Sequence, residues 1–137
     1  MSAFIIDTNV YSGFMRGDAG SIKSLRASHE IHLPLIVLAE LLAGFAAGSR
    51  EQSNRHQLAE FMASPRVLMM NPDERTAEPY AGVFSCLRNR GTPIPTNDMW
   101  IAALARQHRL PLLSFDAHFG GVQGLELVIP SWKAEEG

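Results

Sequence analysis

Ala3-Phe4-Ile5-Ile6-Asp7 is the most telling stretch of this 137-residue chain: a short apolar run that stops at a carboxylate. Four apolar residues in a row are too few for a helix. They read as a strand covered on both faces, as in a parallel sheet. The pattern returns near the other end as Leu112-Leu113-Ser114-Phe115-Asp116. Between these two runs, helix and strand signals alternate. Helical material covers about 9–28 and breaks near Gly17 to Gly20. A second strand follows over 30–33, and a helix over 35–47 that is apolar almost all round and ended by Gly48. A further helix covers 51–63, with a Glu51–Arg55 pair and an apolar edge of Leu58, Phe61 and Met62. The third strand is 66–70.

Beyond it, Asn71 reads as an N-cap with Pro72 at the first helical position. Ala77, Tyr80, Ala81, Phe84 and Leu87 form the expected buried face of that helix. Pro79 argues for a kink or a later start, and Gly91 for the end. Pro93 and Pro95 stiffen a loop into Asn97, the expected cap of a helix over 98–108. A fourth strand (112–115), a fifth (125–129) and a polar tail (130–137) complete the chain. Strands alternating with helices imply an α/β fold, a mostly parallel sheet with helices on both faces, in a single domain over 1–137. In such sheets ligands collect beyond the carboxyl ends of the strands, where strand order reverses.

Composition narrows the function classes. Hydrophobic residues make up 46% and charged residues 19%, the balance of a compact domain. Cys86 is the only cysteine, so no internal disulfide forms; a buried apolar role is expected for it, and the chain fits a reducing cytoplasm. The first residues carry no basic leader pattern. The longest apolar run, 33–48, is interrupted by Pro34 and Glu40, so no membrane span is expected. The net charge is −2. Setting aside the four carboxylates argued below leaves the remainder at +2, so global charge does not decide for or against nucleic acid.

Four acids stand out. Asp7 and Asp116 each end an apolar strand and would lie on one edge of a parallel sheet; either alone could be an ordinary turn residue. Glu40 is the only ionisable group from Leu33 to Ser49. A helix this apolar should be buried over most of its circumference, where a lone carboxylate would cost several kcal/mol or take up a proton. It therefore calls for a basic partner, an exposed strip of helix or a metal ion. Asp98 follows the proposed cap Asn97; it either serves the helix dipole or points into a cleft, with Ile101, Ala102 and Ala105 packed on the sheet. An all-oxygen set with no matching cationic cluster suits the hard ions Mg²⁺ and Mn²⁺, which polarise a phosphodiester and activate water.

These residues carry a family resemblance. Asp7-Thr8-Asn9-Val10, Leu38-Ala39-Glu40-Leu41-Leu42-Ala43-Gly44, Asn97-Asp98-Met99-Trp100-Ile101-Ala102-Ala103 and Ser114-Phe115-Asp116-Ala117-His118-Phe119 together resemble a PIN domain. The likeness is greatest to the VapC and FitB toxins of type II toxin–antitoxin pairs, and it spans roughly 4–128. It implies a three-layer sandwich whose central parallel sheet has strand order 3-2-1-4-5. It implies an endoribonuclease using Mg²⁺ or Mn²⁺ held by Asp7, Glu40, Asp98 and Asp116, with Thr8, Asn9 and Ser114 supporting. The expected substrate is transfer RNA or another structured RNA, and the expected effect is inhibition of translation. A homodimer, a VapB-like antitoxin, a higher assembly with it, and contact with operator DNA only through the antitoxin are also implied. One departure is His118, where many relatives carry a further acid; the number of ions is open on that account.

Arg16 is the leading candidate for RNA contact, ahead of Arg88, Arg90, Arg106 and Arg109. His118 could move a proton or touch RNA. The remaining histidines lack zinc-ligand spacing. Trp100 and Phe45 read as core or interface, and a groove along Phe14, Leu42 and Phe45 would suit an antitoxin helix or a dimer. Two rival functions remain: a PIN fold kept only for binding, and an aspartyl phosphatase of the haloacid-dehalogenase type. The latter needs a second acid two residues after the first, where this chain has Asn9.

Overall fold

The computed structural model describes residues 2–131; the expected polar tail lies mostly outside them. The chain runs β1 (Ala3–Ile6), α1 (Thr8–Met15), α2 (Ala19–Ala27), β2 (Glu30–Pro34), α3 (Leu35–Ala47), α4 (Glu51–Met62) and β3 (Val67–Met70). It continues through a 3₁₀ turn (Glu74–Thr76), α5 (Ala77–Arg90), α6 (Thr96–His108), β4 (Leu112–Leu113), a second 3₁₀ turn (Ala117–Gly121) and β5 (Leu127–Val128). All strand pairs are parallel, in the order β3-β2-β1-β4-β5. The α/β class and the strand order agree with expectation.

The order itself positions a site. From β1 the chain steps outward to β2 and β3, then returns across β1 to β4 and β5, so strand order reverses between β1 and β4. There Ile6 is in register with Leu113, and the ladder closes with Asp7 N–H donating to the Leu113 carbonyl at 3.1 Å. Ile5, Ile6 and Leu112 are fully buried and Leu113 is 1% exposed, so the central strands act as a rigid floor. Whatever follows Ile6 and Leu113 is held side by side beyond the carboxyl edge.

Several local expectations change. Asp18, inside the expected break, caps α2: its carboxylate accepts from Ser21 N and Oγ, each at 2.9 Å. Only Gly17, at φ +84°, lies in the break. Asn71 does not cap. Asp73 does, accepting from Arg75 N at 2.8 Å while its own N–H donates to Thr76 Oγ1 at 3.0 Å. The α-helix proper begins later, at Ala77, so Pro79 falls in the first turn, where a missing N–H costs no intrahelical bond. Pro95 rather than Asn97 precedes the first turn of α6, and no side chain caps it. Gly48 ends α3 in extended backbone, φ −101°, not in the left-handed form. β4 and β5 have two residues each because the chain turns at Ser114.

The buried face of α5 is Val83 and Leu87, flanked by half-buried Pro79, Gly82 and Cys86. Ala77, Ala81 and Phe84 face outward. Gly82 lies close against α6: a Cβ on it would stand 3.2 Å from the Arg106 guanidinium. Arg106 is thus packed between α5 and the turn at Gly124 and is spent on structure. Cys86 is only half-buried, its thiol 3.6 Å from the Gly121 carbonyl. Trp100, also half-buried, stacks on Tyr80 with ring centroids 4.3 Å apart.

α3 departs most from expectation. Only Val37 and Leu41 are buried; Ile36, Leu38, Leu42 and Phe45 are half-covered and Leu35 is 45% exposed. Within one copy of the chain the apolar circumference of this helix is not covered.

Gly91 closes α5 at φ +68°, and Arg109 closes α6 at φ +54°. The two helices end alike, but one with glycine and one with a side chain that strains this region. Gly91→Ala is expected to destabilise by about 1 kcal/mol and Arg109→Gly to stabilise by a similar or smaller amount. Thermal melts of the two variants, moving in opposite directions by about 3 °C each, check this.

Candidate active site

Asp7 ends β1 and caps α1. Its Oδ1 accepts from the Thr8 backbone N–H at 2.7 Å and its Oδ2 from Ser114 Oγ at 2.8 Å. Ser114 is fully buried just after β4, and its hydroxyl also accepts the Asp116 N–H at 3.0 Å. One buried hydroxyl therefore ties the two strand-end acids together. Thr8 Oγ1 donates to Glu40 Oε1 at 2.9 Å, fixing the α3 carboxylate against the start of α1. Asp116 Oδ1 accepts the His118 N–H at 2.9 Å, and His118 Nδ1 lies 2.8 Å from the same oxygen. Asp98 projects from the first turn of α6.

All four acids line one cleft of about 460 Å³, with Thr8, Asn9, Pro95 and the first residues of α6, Thr96 and Asn97, as the rest of its wall. No lysine or arginine is among those lining residues. Of the supporting residues, Thr8 and Ser114 hold carboxylates directly and Asn9 lines the rim. Residues 95–97, read from sequence only as a loop and a cap, are wall residues as well; Asn97 beside Asp98 was the available signal. Arg16 is elsewhere. It closes the far end of α1 and lines a separate depression with Arg50, Asn54 and Gln57.

The electrostatics follow from this crowding. Asp7 is 6% exposed, and burial raises its carboxyl above the ordinary 3.8. Bonds from Ser114 and Thr8 oppose the rise, and the Asp116 charge adds to it. Asp98 is pushed up to about 6, first by burial, then by the charges of Asp7, Glu40 and Asp116, with His118 pulling the other way. Among the described residues no three His, Cys, Asp or Glu side chains stand close enough to form a ready-made metal cage. The donor set is nonetheless all carboxylate and hydroxyl oxygen. A hard divalent ion that keeps several waters and takes one or two direct carboxylates fits such a cleft, and would relieve the mutual repulsion at Asp98.

A family model described as PIN domain matches residues 4–125. The chain belongs to the PIN-domain family. Among its relatives, Ribonuclease VapC1 of Rickettsia felis is 32% identical over 132 residues, 94% of this PIN domain and 97% of the relative. Solved structures share the fold, among them two toxin–antitoxin structures. The VapBC2 complex of Rickettsia felis bound to a promoter DNA fragment superposes with a TM-score of 0.83 at 21% identity, covering 94% of this chain and 99% of that one. VapBC-5 of Mycobacterium tuberculosis, from a toxin–antitoxin family, superposes at 0.69 and 24% identity, covering 95% and 98%. The PIN-domain sheet places Asp7 and Asp116 beyond β1 and β4, α3 and α6 supply Glu40 and Asp98, and no described helix is long and apolar enough to cross a membrane.

Proposed function

We propose that this PIN domain is a metal-dependent endoribonuclease, the toxin of a VapBC-type pair, held silent by a VapB-like antitoxin. The single observation that carries the catalytic reading is the cleft itself: Asp7, Glu40, Asp98 and Asp116 from four separate elements, with no cation among the side chains that line it. The VapC name of its relatives supports the substrate class. Asp7, Glu40, Asp98 and Asp116 would hold Mg²⁺ or Mn²⁺, with Thr8, Asn9 and Ser114 supporting. When bound, the ion supplies Lewis acidity at a phosphodiester oxygen and a water of lowered pKa.

The residues do the positioning. Ser114 orients Asp7 and Asp116 at once, and Thr8 holds Glu40. The negative wall repels bare RNA phosphate, so substrate binding and cation binding become interdependent. Structured RNA such as transfer RNA is the substrate, and translation the process it stops. The incompletely covered side of α3, with Phe14, Leu42 and Phe45 half-buried beside it, supports a helix of the antitoxin or a second copy as its cover. Operator DNA would be reached only through the antitoxin.

Purified chain, freed of any partner, is expected to cleave RNA with Mn²⁺ or Mg²⁺, to stop on EDTA addition and to resume on readdition of Mn²⁺. RNA cleavage that persists in EDTA overturns the reading, as does inertness of folded protein in both ions. Ser114→Ala tests the support: Mn²⁺ affinity by calorimetry is expected to fall about 10–100-fold, because the carboxylates lose the hydroxyl that aims them.

A further inference from the structure

Two further depressions share Pro93 and Ile94, the segment that leads into Pro95 of the acidic cleft. The first, about 520 Å³, is lined by Arg90, Thr92, Pro93, Ile94 and the Ala117-His118 turn. The second, about 290 Å³, shares Pro93 and Ile94 and adds Phe84, Arg88 and Met99. Ala117 follows Asp116 beyond β4 and Met99 follows Asp98 in α6, so each depression has a lining residue next in sequence to one of the cleft's acids. Phe84 is 47% exposed although its helix has a well-covered opposite face. Arg88 and Arg90 are exposed, and no carboxylate lines either depression. The sign of charge therefore differs between the hollows: acids line the cleft, and arginines line the two depressions.

We propose that this trough is the path taken by an unpaired segment of the substrate RNA, with one unstacked base lying on Phe84 against Pro93, Ile94 and Met99, and flanking phosphates on Arg88 and Arg90. The proposal rests on the ribonuclease reading and adds to it the direction in which substrate leaves the cleft. The second depression is at the small end of ligand-pocket size, the scale of a single base. A base paired in an A-form helix cannot present its face to such a floor, whereas an unpaired one can. Arginines in the last turn of α5 also suit the helix dipole. That alone would not call for an exposed phenylalanine beside them or for lining residues that directly follow two of the cleft's acids.

The test is binding of a fluorescein-labelled single-stranded RNA octanucleotide to the intact chain in EDTA, read by anisotropy across a salt series. Phe84→Ala is expected to weaken binding about tenfold without changing the salt slope, since base–aromatic stacking is uncharged, and Phe84→Trp to restore it. The double variant Arg88→Ala/Arg90→Ala is expected to lower the slope of log K against log salt by roughly 1.4, about 0.7 per phosphate. Equal binding by Phe84→Ala and wild type overturns the trough, and if the wild type still cleaves RNA with Mn²⁺ the ribonuclease reading survives. A wild type that neither binds nor cleaves loses both. Light scattering gives the remaining outcome: if Phe84→Ala halves the particle mass, the face is an interface between copies and the proposal is wrong.

Discussion

Asp7→Asn is expected to leave a folded protein whose Mn²⁺-dependent RNA cleavage is slower by about 10³-fold. The magnitude comes from the loss of several kcal/mol of cation-mediated charge stabilisation, each 1.36 kcal/mol being a factor of ten. The fold survives because two effects oppose each other. Asp7 is buried with its carboxyl raised above the ordinary value, so removing the charge relieves a cost. Its two oxygens both accept bonds, from Thr8 N–H and Ser114 Oγ, and an amide can accept at only one of them. Ser114 can turn its hydroxyl to accept from the new NH₂, because it is a donor and an acceptor. Single-turnover cleavage, with circular dichroism and a thermal melt on the same sample, checks both halves. Cleavage at the wild-type rate removes Asp7 from the site. Covalent phosphoryl capture on Asp7 would point instead to the phosphatase chemistry considered for this sequence.

Much of the sheet was legible because its signals are local. The run ending at Asp7 and the isolation of Glu40 among apolar residues need no knowledge of neighbours. Helix ends were less so, since caps compete: Asn71 and Asp73 stand two residues apart with the same chemistry, and Thr76 decided between them by completing a reciprocal pair with Asp73. The face of α5 was misread for a related reason. Helical spacing put Ala77, Ala81 and Phe84 on the buried face with Tyr80 and Leu87, yet those three are exposed; Leu87 is buried, Tyr80 is half-buried on Trp100 of α6, and Gly82 lies against the Arg106 guanidinium. Helix α3 was misjudged because an apolar circumference predicts burial by something, not burial by the same chain. At the cleft, the identity of the acids was readable, whereas the Ser114 and Thr8 bonds that aim them join residues far apart in sequence. Arg16 looked close to the first motif in sequence, but the length of α1 carries it out of the cleft.

Asp98→Asn should have opposite effects with and without metal, and this reversal is the sharper test of the electrostatic reading. In the metal-free chain the Asp98 carboxyl sits at about 6, against 3.8 ordinarily. The folded state then binds its proton more tightly than the unfolded state. Asp98 therefore makes stability fall as pH rises from about 4 through about 6, and leaves it lowered above that. With allowance for partial solvent screening, the cost at pH 7.5 is about 1 kcal/mol. Metal-free Asp98→Asn should accordingly melt about 3 °C higher than wild type at pH 7.5 and show no advantage at pH 4. Saturating Mn²⁺ reverses the order, because a ligand that binds only the folded state stabilises whichever protein binds it better, and the variant lacks a charged oxygen donor. Protons compete with the ion for the same carboxyl, so wild-type Mn²⁺ affinity and cleavage should both decline below about pH 6. A variant that melts lower than wild type in the absence of metal would mean that Asp98 is held by favourable contacts and not crowded by like charge. The same four acids would then have no electrostatic need of a cation.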